Sequence, residues 1–354
     1  MKAWVLHGIN DLRLEDRPVP RLGGDEVLVK VEAAGICGSD IPRIFETGAH
    51  TLPVIPGHEF AGVVADAPEA LSRLIGKRVC VFPLIPCMRC DSCLREQYET
   101  CSDYDYLGSR RDGAFAEYVA VPAQNLMELP EGLSFEAGAM LEPAAVALHA
   151  LRRLGVREME SVAIFGAGPV GLLAAQWARV LGAKRVFLAG TKSAQAEKTR
   201  LLGFADFLDI REHDAAERIA ALTGGAGADV CVEAVGDVRS VTDCIRAARA
   251  GGRVALIGNP RADMRIGKDV YQRILRKQLG IYGSWNSGFY RGGKNDWAET
   301  IAAAQNGDVR LEALITHSFP LADLARAADM MRSRREYFCK VMVCGNTIYP
   351  PRMH

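Results

Sequence analysis

The stretch Ser161–Lys192, SVAIFGAGPVGLLAAQWARVLGAKRVFLAGTK, constrains this chain more than any other. Val162–Phe165 is a short apolar run of the kind a buried parallel strand requires. Gly166, Gly168 and Gly171 follow at G-x-G-x-x-G spacing, with Pro169 and Val170 inside the turn, and an Ala- and Leu-rich helical pattern runs on to near Gly182. A second apolar run, Val186–Ala189, closes a βαβ unit. The first glycine permits a tight turn, the second lets backbone approach a pyrophosphate, and the third lets helix and strand pack closely. The free N–H groups of the helix N-terminus then face the phosphates. Ser161–Ala178 is uncharged over nearly the length of a membrane span, but glycine turns interrupt it and Arg179 follows at once, so it reads as buried core.

At 354 residues the chain predicts two domains rather than one. Lys+Arg and Asp+Glu balance at 43 each, so no overall basic field points to nucleic acid or to an anionic membrane. The N-terminal MKAWVLHGINDLRLED has no apolar core of signal-peptide length, and a cytoplasmic location is expected. In a reducing compartment, ten cysteines that cluster point to metal rather than to disulfides.

Four of the ten, Cys87, Cys90, Cys93 and Cys101, fall in one short segment, C-x2-C-x2-C-x7-C. Thiolates this close can wrap a tetrahedral Zn²⁺ and leave no coordination position open, which makes the site structural rather than catalytic. Cys80, Cys231, Cys244, Cys339 and Cys344 read as small buried hydrophobes. Cys37, in Cys37-Gly38-Ser39-Asp40, and His58, in Gly57-His58-Glu59, bring thiolate, imidazole and carboxylate, the ligand set of an open zinc site. Their separation leaves a metal pair and a chance pair both open. Glu142, before Pro143, is either a ligand or an acid at a helix N-terminus. Arg110 and Arg111, in a glycine-rich loop feeding a strand, either contact a substrate anion or lie solvated.

Beyond the first βαβ unit, Val230–Ala234, a helix over 238–250, Val254–Ile257 and Ile281–Ser284 continue the strand–helix alternation. The expected fold is α/β: a Rossmann doubly wound parallel sheet over 151–296, and a β-rich catalytic domain over 1–150 to which 297–354 returns.

In order, C-G-S-D, G-H-E, the four-cysteine lobe, D-G-A-F-A-E-Y, E-P, G-A-G-P-V-G and a late I-T-H resemble the zinc-dependent medium-chain dehydrogenases, the alcohol and sorbitol dehydrogenase family. The resemblance spans essentially the whole chain and implies that the β-rich catalytic domain is GroES-like. CGSDIPRIFETGAH, GSRRDGAFAEY, ILRK and GSW look most like its polyol-phosphate branch, the galactitol 1-phosphate type. It implies a catalytic zinc surrounded by Cys37, His58 and Glu142 with Glu59 nearby, and a structural zinc on the four-cysteine lobe. Alcohol dehydrogenases proper place a relay histidine five residues after the first zinc cysteine. Here that position is Pro42, so the resemblance implies that Ser39 passes the proton to water or ribose. NAD-dependent members end the second Rossmann strand in an aspartate. Gly190-Thr191-Lys192 stands there instead, which leaves room and positive charge for a 2′-phosphate and predicts NADP(H), with NAD(H) as the alternative. Arg43, His50, Arg110 and Arg111 lie in segments resembling the polyol-phosphate enzymes and are the candidate substrate contacts.

The expected activity is interconversion of a secondary alcohol and a ketone on a polyol or polyol phosphate. The alternative is a sorbitol-dehydrogenase-like enzyme, or ketone reductase, on an unphosphorylated substrate. A nucleic-acid-binding zinc ribbon is disfavoured by the zero net charge, and a silent cofactor sensor by the intact Cys37, His58 and Glu142. The resemblance implies a homodimer or homotetramer, for which Ile281–Trp285 offers an edge strand.

Overall fold

The computed structural model describes residues 1–289 and 295–345. The chain forms two compact units, Met1–Glu142 with Gly288–Gln305 and Leu311–His354, and Pro143–Ser287 with Asn306–Arg310. The first division falls after Glu142, the second residue of the helix Leu141–Leu154.

The first unit is built around the eleven-residue strand Glu26–Ile36, whose Val27, Val29, Val31 and Ile36 point into the core. It pairs antiparallel with Glu59–Asp66, with Tyr118–Pro122 along its first half and with Lys340–Cys344 along its last residues. The sheet runs Ile315–Pro320, Lys340–Cys344, Glu26–Ile36, Glu59–Asp66, Arg78–Val81, Leu126–Glu128. Phe60 and Phe115, both fully buried, fill its core, each worth about 2–3 kcal/mol of apolar burial. Register matters more than composition here. It sets Gly35 opposite Glu59 and Ile36 opposite Val341. The chain therefore delivers Cys37, His58-Glu59 and Lys340 to one end of the sheet.

The second unit carries six parallel strands in the order Asp206–Asp209, Arg185–Gly190, Ser161–Phe165, Ala228–Glu233, Ala248–Leu256, Gly280–Gly283. Numbered along the chain this is 3-2-1-4-5-6, the doubly wound order, with Ser161–Phe165 buried at every residue. The helix expected over 238–250 stops at Ala247, and Ala248 turns extended to pair with Ala228. Lys277 explains the early stop, because its ammonium donates to the carbonyls of Arg246 and Ala248 where the next helical turn would have accepted backbone N–H groups. Among the described residues no helix is long and apolar enough to cross a membrane.

The first strand leads into the helix Pro169–Val180 through the glycine turn. Gly166 holds φ at 113°, and a Cβ on Gly171 would lie 1.8 Å from the Gly166 carbonyl oxygen. Backbone cannot yield that far. Gly171→Ala should lower Tm by roughly 3–10 °C in a thermal melt, whereas Gly168→Ala, whose Cβ meets nothing within 4 Å, should shift it by less than about 2 °C.

Candidate metal centres and dinucleotide turn

Cys87, Cys90, Cys93 and Cys101 come together on a small lobe in which the short helix Asp91–Leu94 starts from Cys90. All four Sγ atoms lie within 4.8 Å of one another, with Cys87–Cys93 at 3.9 Å and Cys90–Cys101 at 3.8 Å. A tetrahedron with Zn–S bonds of 2.3 Å has edges of about 3.8 Å. The backbone N–H of Cys87 donates to Cys101 Sγ at 3.3 Å. Backbone N–H groups at Cys93 and Ser102 pull the Cys90 thiol down to about 5. Burial pushes Cys93 up to about 12, a direction that a coordinated cation reverses. The donor set and spacing fit one closed tetrahedral zinc. The remaining cysteines apart from Cys37 are buried.

The second cluster lies at the sheet end described above. One ligand atom each from Cys37, His58 and Glu59 falls within a 4.8 Å set. Glu142, at the start of the helix Leu141–Leu154, stands outside that set but is buried beside it, 7% exposed. Burial pushes its carboxyl up to about 7, against the pull of His58. Thiol, imidazole and two carboxylates crowded out of water make a site where a cation relieves the cost of buried anions. Cys37, His58 and Glu59 fit a zinc, with Glu142 outside their set.

Two residues not singled out in the sequence organise this cluster. Asp40, fully buried, accepts the Cys37 backbone N–H at 3.0 Å and the Arg43 guanidinium at 2.6 Å, and lies 3.5 Å from His58 Nδ1. Burial opposes a charged His58, but Asp40 carries it well above its ordinary value. A carboxylate behind a metal-binding imidazole fixes ring orientation and tautomer. Lys340, 3% exposed, pairs with Glu59 and donates to Ile36 O at 3.4 Å. A lysine opening the otherwise apolar strand KVMVC was the available signal for a buried partner. Ser39 is half-buried and its side chain caps no backbone N–H.

The loop after the cysteine lobe closes over Gly57-His58. Ala114 N–H donates to Gly57 O at 3.0 Å and Gly113 N–H to Ile55 O at 2.7 Å, an approach so close that a Cβ on Gly113 would lie 2.1 Å from Gly57 O. This brings the Tyr106 ring edge-on to His58, with centroids 5.8 Å apart. Tyr104 meets Tyr106 at 6.3 Å, and the exposed Arg110 lies over Tyr104 at 4.6 Å. The four candidate substrate residues are thus not equivalent. Arg43 is held by Asp40, Arg111 by Glu26 and Asp105, and His50 is exposed.

In the second unit, Gly168 precedes the helix Pro169–Val180, no side chain caps the first turn, and the space beside its Cα is open. Gly168, Pro169 and Val170 are half-buried, the condition for a phosphate to reach the turn that Gly166 and Gly171 shape. Gly190 ends the neighbouring strand with no acid, and Gln195 Oε1 accepts the backbone N–H groups of Thr191 and Lys192 at 2.9 and 3.1 Å.

Cys90→Ser should lower bound zinc from about two per chain to about one, measured by atomic absorption, and lower Tm. Cys37→Ser should also lose about one zinc while Tm falls much less, because the Asp40–Arg43 and Glu59–Lys340 pairs still tie the open site together.

Against known proteins, residues 23–131 match the alcohol dehydrogenase GroES-like domain and residues 169–306 the zinc-binding dehydrogenase model. Galactitol 1-phosphate 5-dehydrogenase of Escherichia coli is 34% identical over 94% of this chain and 97% of its own length. Sorbitol dehydrogenase of Bacillus subtilis is 32% identical over 98% of each. A Sinorhizobium meliloti structure, described as a zinc-binding dehydrogenase bound to NADP, aligns with TM-score 0.88 and 31% identity over 97% of this chain and 98% of that one. The chain belongs to the zinc-dependent medium-chain dehydrogenases, NAD(P)-linked enzymes that act on the CH–OH groups of alcohols and polyols.

Proposed function

We propose that this enzyme interconverts a secondary alcohol and a ketone on a polyol phosphate, using NADP(H). The observation that carries the reaction class is the gathering of Cys37, His58 and Glu59, with Glu142 beside them, around one point. Cys37, His58 and one or other glutamate hold the catalytic zinc, and Cys87, Cys90, Cys93 and Cys101 the structural one. Bound zinc supplies Lewis acidity to the substrate oxygen, and the nicotinamide supplies hydride exchange. Asp40 fixes the His58 ring, and Lys340 neutralises Glu59 so that two carboxylates can share a buried site. Ser39 Oγ passes the alcohol proton outward, since Pro42 occupies the place of a relay histidine. The 166–171 turn binds the pyrophosphate.

NADP(H) preference rests on the strand end. Gly190 offers no carboxylate to repel a 2′-phosphate, and Lys192 adds a cation at the start of the next helix. Gly190 also serves packing, because a Cβ there would meet the Phe207 ring at 2.9 Å and Gln195 Oε1 at 2.7 Å. An aspartate at 190 is therefore a poor probe, and Lys192→Ala is the cleaner one. Phosphate reading falls to Arg110, whose guanidinium has no acid partner among the described residues and stands at the end of the row Tyr104, Tyr106, His58. A second reading, an unphosphorylated polyol, is favoured by Arg43 and Arg111, which already hold acid partners.

We also read the enzyme as cytoplasmic and self-associating. Ten cysteines without a disulfide fit a reducing compartment. Among the described residues the strand Gly280–Gly283 pairs on one side only and exposes Ile281 and Tyr282, with Trp285 56% exposed just beyond, which suits a second copy across a two-fold axis.

With galactitol 1-phosphate and sorbitol as test substrates, kcat/KM should favour NADP⁺ over NAD⁺ by at least about tenfold, and Lys192→Ala should raise KM for NADP⁺ roughly tenfold. Arg110→Ala should raise KM for the phosphorylated substrate alone by a similar factor. Equal use of both cofactors, or equal loss on both substrates, overturns the corresponding assignment. In light scattering the native chain should run as a dimer or tetramer, and Trp285→Asp should shift it toward the monomer; a native monomer refutes the edge-strand reading.

A further inference from the structure

Tyr106 has a ring with an explained position and a hydroxyl without one. The ring is fixed edge-on to His58 at 5.8 Å, and edge-on to Tyr104 at 6.3 Å on its other side. Its backbone is held as well: Tyr106 N–H donates to Asp105 Oδ1 at 2.8 Å, and its carbonyl accepts from Arg110 N–H at 3.0 Å. The strand Asp105–Tyr106 pairs with Leu84–Ile85, which fixes the direction of the side chain. The phenol oxygen, by contrast, makes no hydrogen bond among the described residues. The residue is only half-buried, so that oxygen is not sealed within the core. An accessible phenol oxygen with no partner among the described residues is free to meet a polar group of a ligand.

The ring's contact with His58, one of the three residues gathered in the candidate metal cluster, puts Tyr106 next to that centre. A phenol keeps its proton at neutral pH, so it arrives as a donor.

We infer that Tyr106 is a specificity-determining residue, whose hydroxyl donates a hydrogen bond to a substrate hydroxyl next to the reacting carbon. The inference rests on the polyol dehydrogenase reading and deepens it. A simple alcohol offers no oxygen at that place and leaves the phenol unpaired, while a polyol satisfies it. Sites that hydrogen-bond a substrate hydroxyl discriminate strongly against analogues that lack it.

The test compares wild type, Tyr106→Phe and Tyr106→Leu in steady-state kinetics on whichever of galactitol 1-phosphate and sorbitol the wild type turns over faster. Zinc content and Tm are measured alongside. Tyr106→Phe keeps the ring against His58 and removes only the hydroxyl. It should raise KM for the polyol about tenfold, change kcat by less than about threefold, and retain two zincs per chain. If Tyr106→Phe matches wild type in KM and only Tyr106→Leu is impaired, the ring supports His58 by packing and the hydroxyl reads nothing, which overturns the inference. If the loss in Tyr106→Phe tracks a fall in zinc or Tm, the role is structural and the inference also fails. Wild type that oxidises neither polyol overturns the reading beneath it, an outcome separate from an active enzyme indifferent to Tyr106→Phe.

Discussion

Asp40 is a carboxylate with no solvent exposure, and the metal centre is arranged around keeping it ionised. Burial alone would protonate it, yet its pKa is lowered, because His58, Arg43 and the Cys37 backbone N–H all favour the charged form. Those three partners are what a zinc site needs to have fixed. The N–H bond fixes the turn that carries the Cys37 thiol, the imidazole contact fixes His58, and the guanidinium supplies the compensating charge. Removing one of them leaves a buried charge less well compensated, which is destabilising. Arg43 is therefore better understood as part of this support than as a reader of substrate.

The same logic is repeated with Glu59. Its carboxylate faces Lys340 from a strand that joins the sheet only after the chain has built its other unit. Gly35 stands opposite, and a Cβ there would lie 2.3 Å from Glu59 Oε2, so the pair occupies space that a side chain would have filled. Two ion pairs, Asp40–Arg43 and Glu59–Lys340, flank one thiol and one imidazole. This lets a site with three carboxylates persist in a low-dielectric surrounding.

The two other chemical devices are local by contrast. The cysteine lobe closes within residues 87–101, and the glycine turn within 166–171. Each is held by contacts between near neighbours in the chain, Cys87 N–H to Cys101 Sγ in one and Gly171 against Gly166 O in the other. Neither depends on long-range register.

That difference separates what the sequence by itself determined from what tertiary structure decided. Spacing alone sufficed for the thiol tetrad and for the βαβ unit, because a tetrahedral metal and a pyrophosphate turn both impose short separations along the chain. The strand alternation was legible from apolar runs, but the end of the helix Val238–Ala247 was not, since Lys277 ends it from another helix. Cys37 and His58 were legible as a ligand pair only by resemblance. Asp40, Lys340 and Tyr106 were not legible as site residues at all. Lys340 reaches the carbonyl of Ile36 across 304 positions, and Tyr106 reaches His58 because the 106–113 loop lies against Gly57. A shift of one residue in either strand pairing would turn these side chains to the opposite face, and local pattern carries no information about which register wins. The packing of one sheet end decided it.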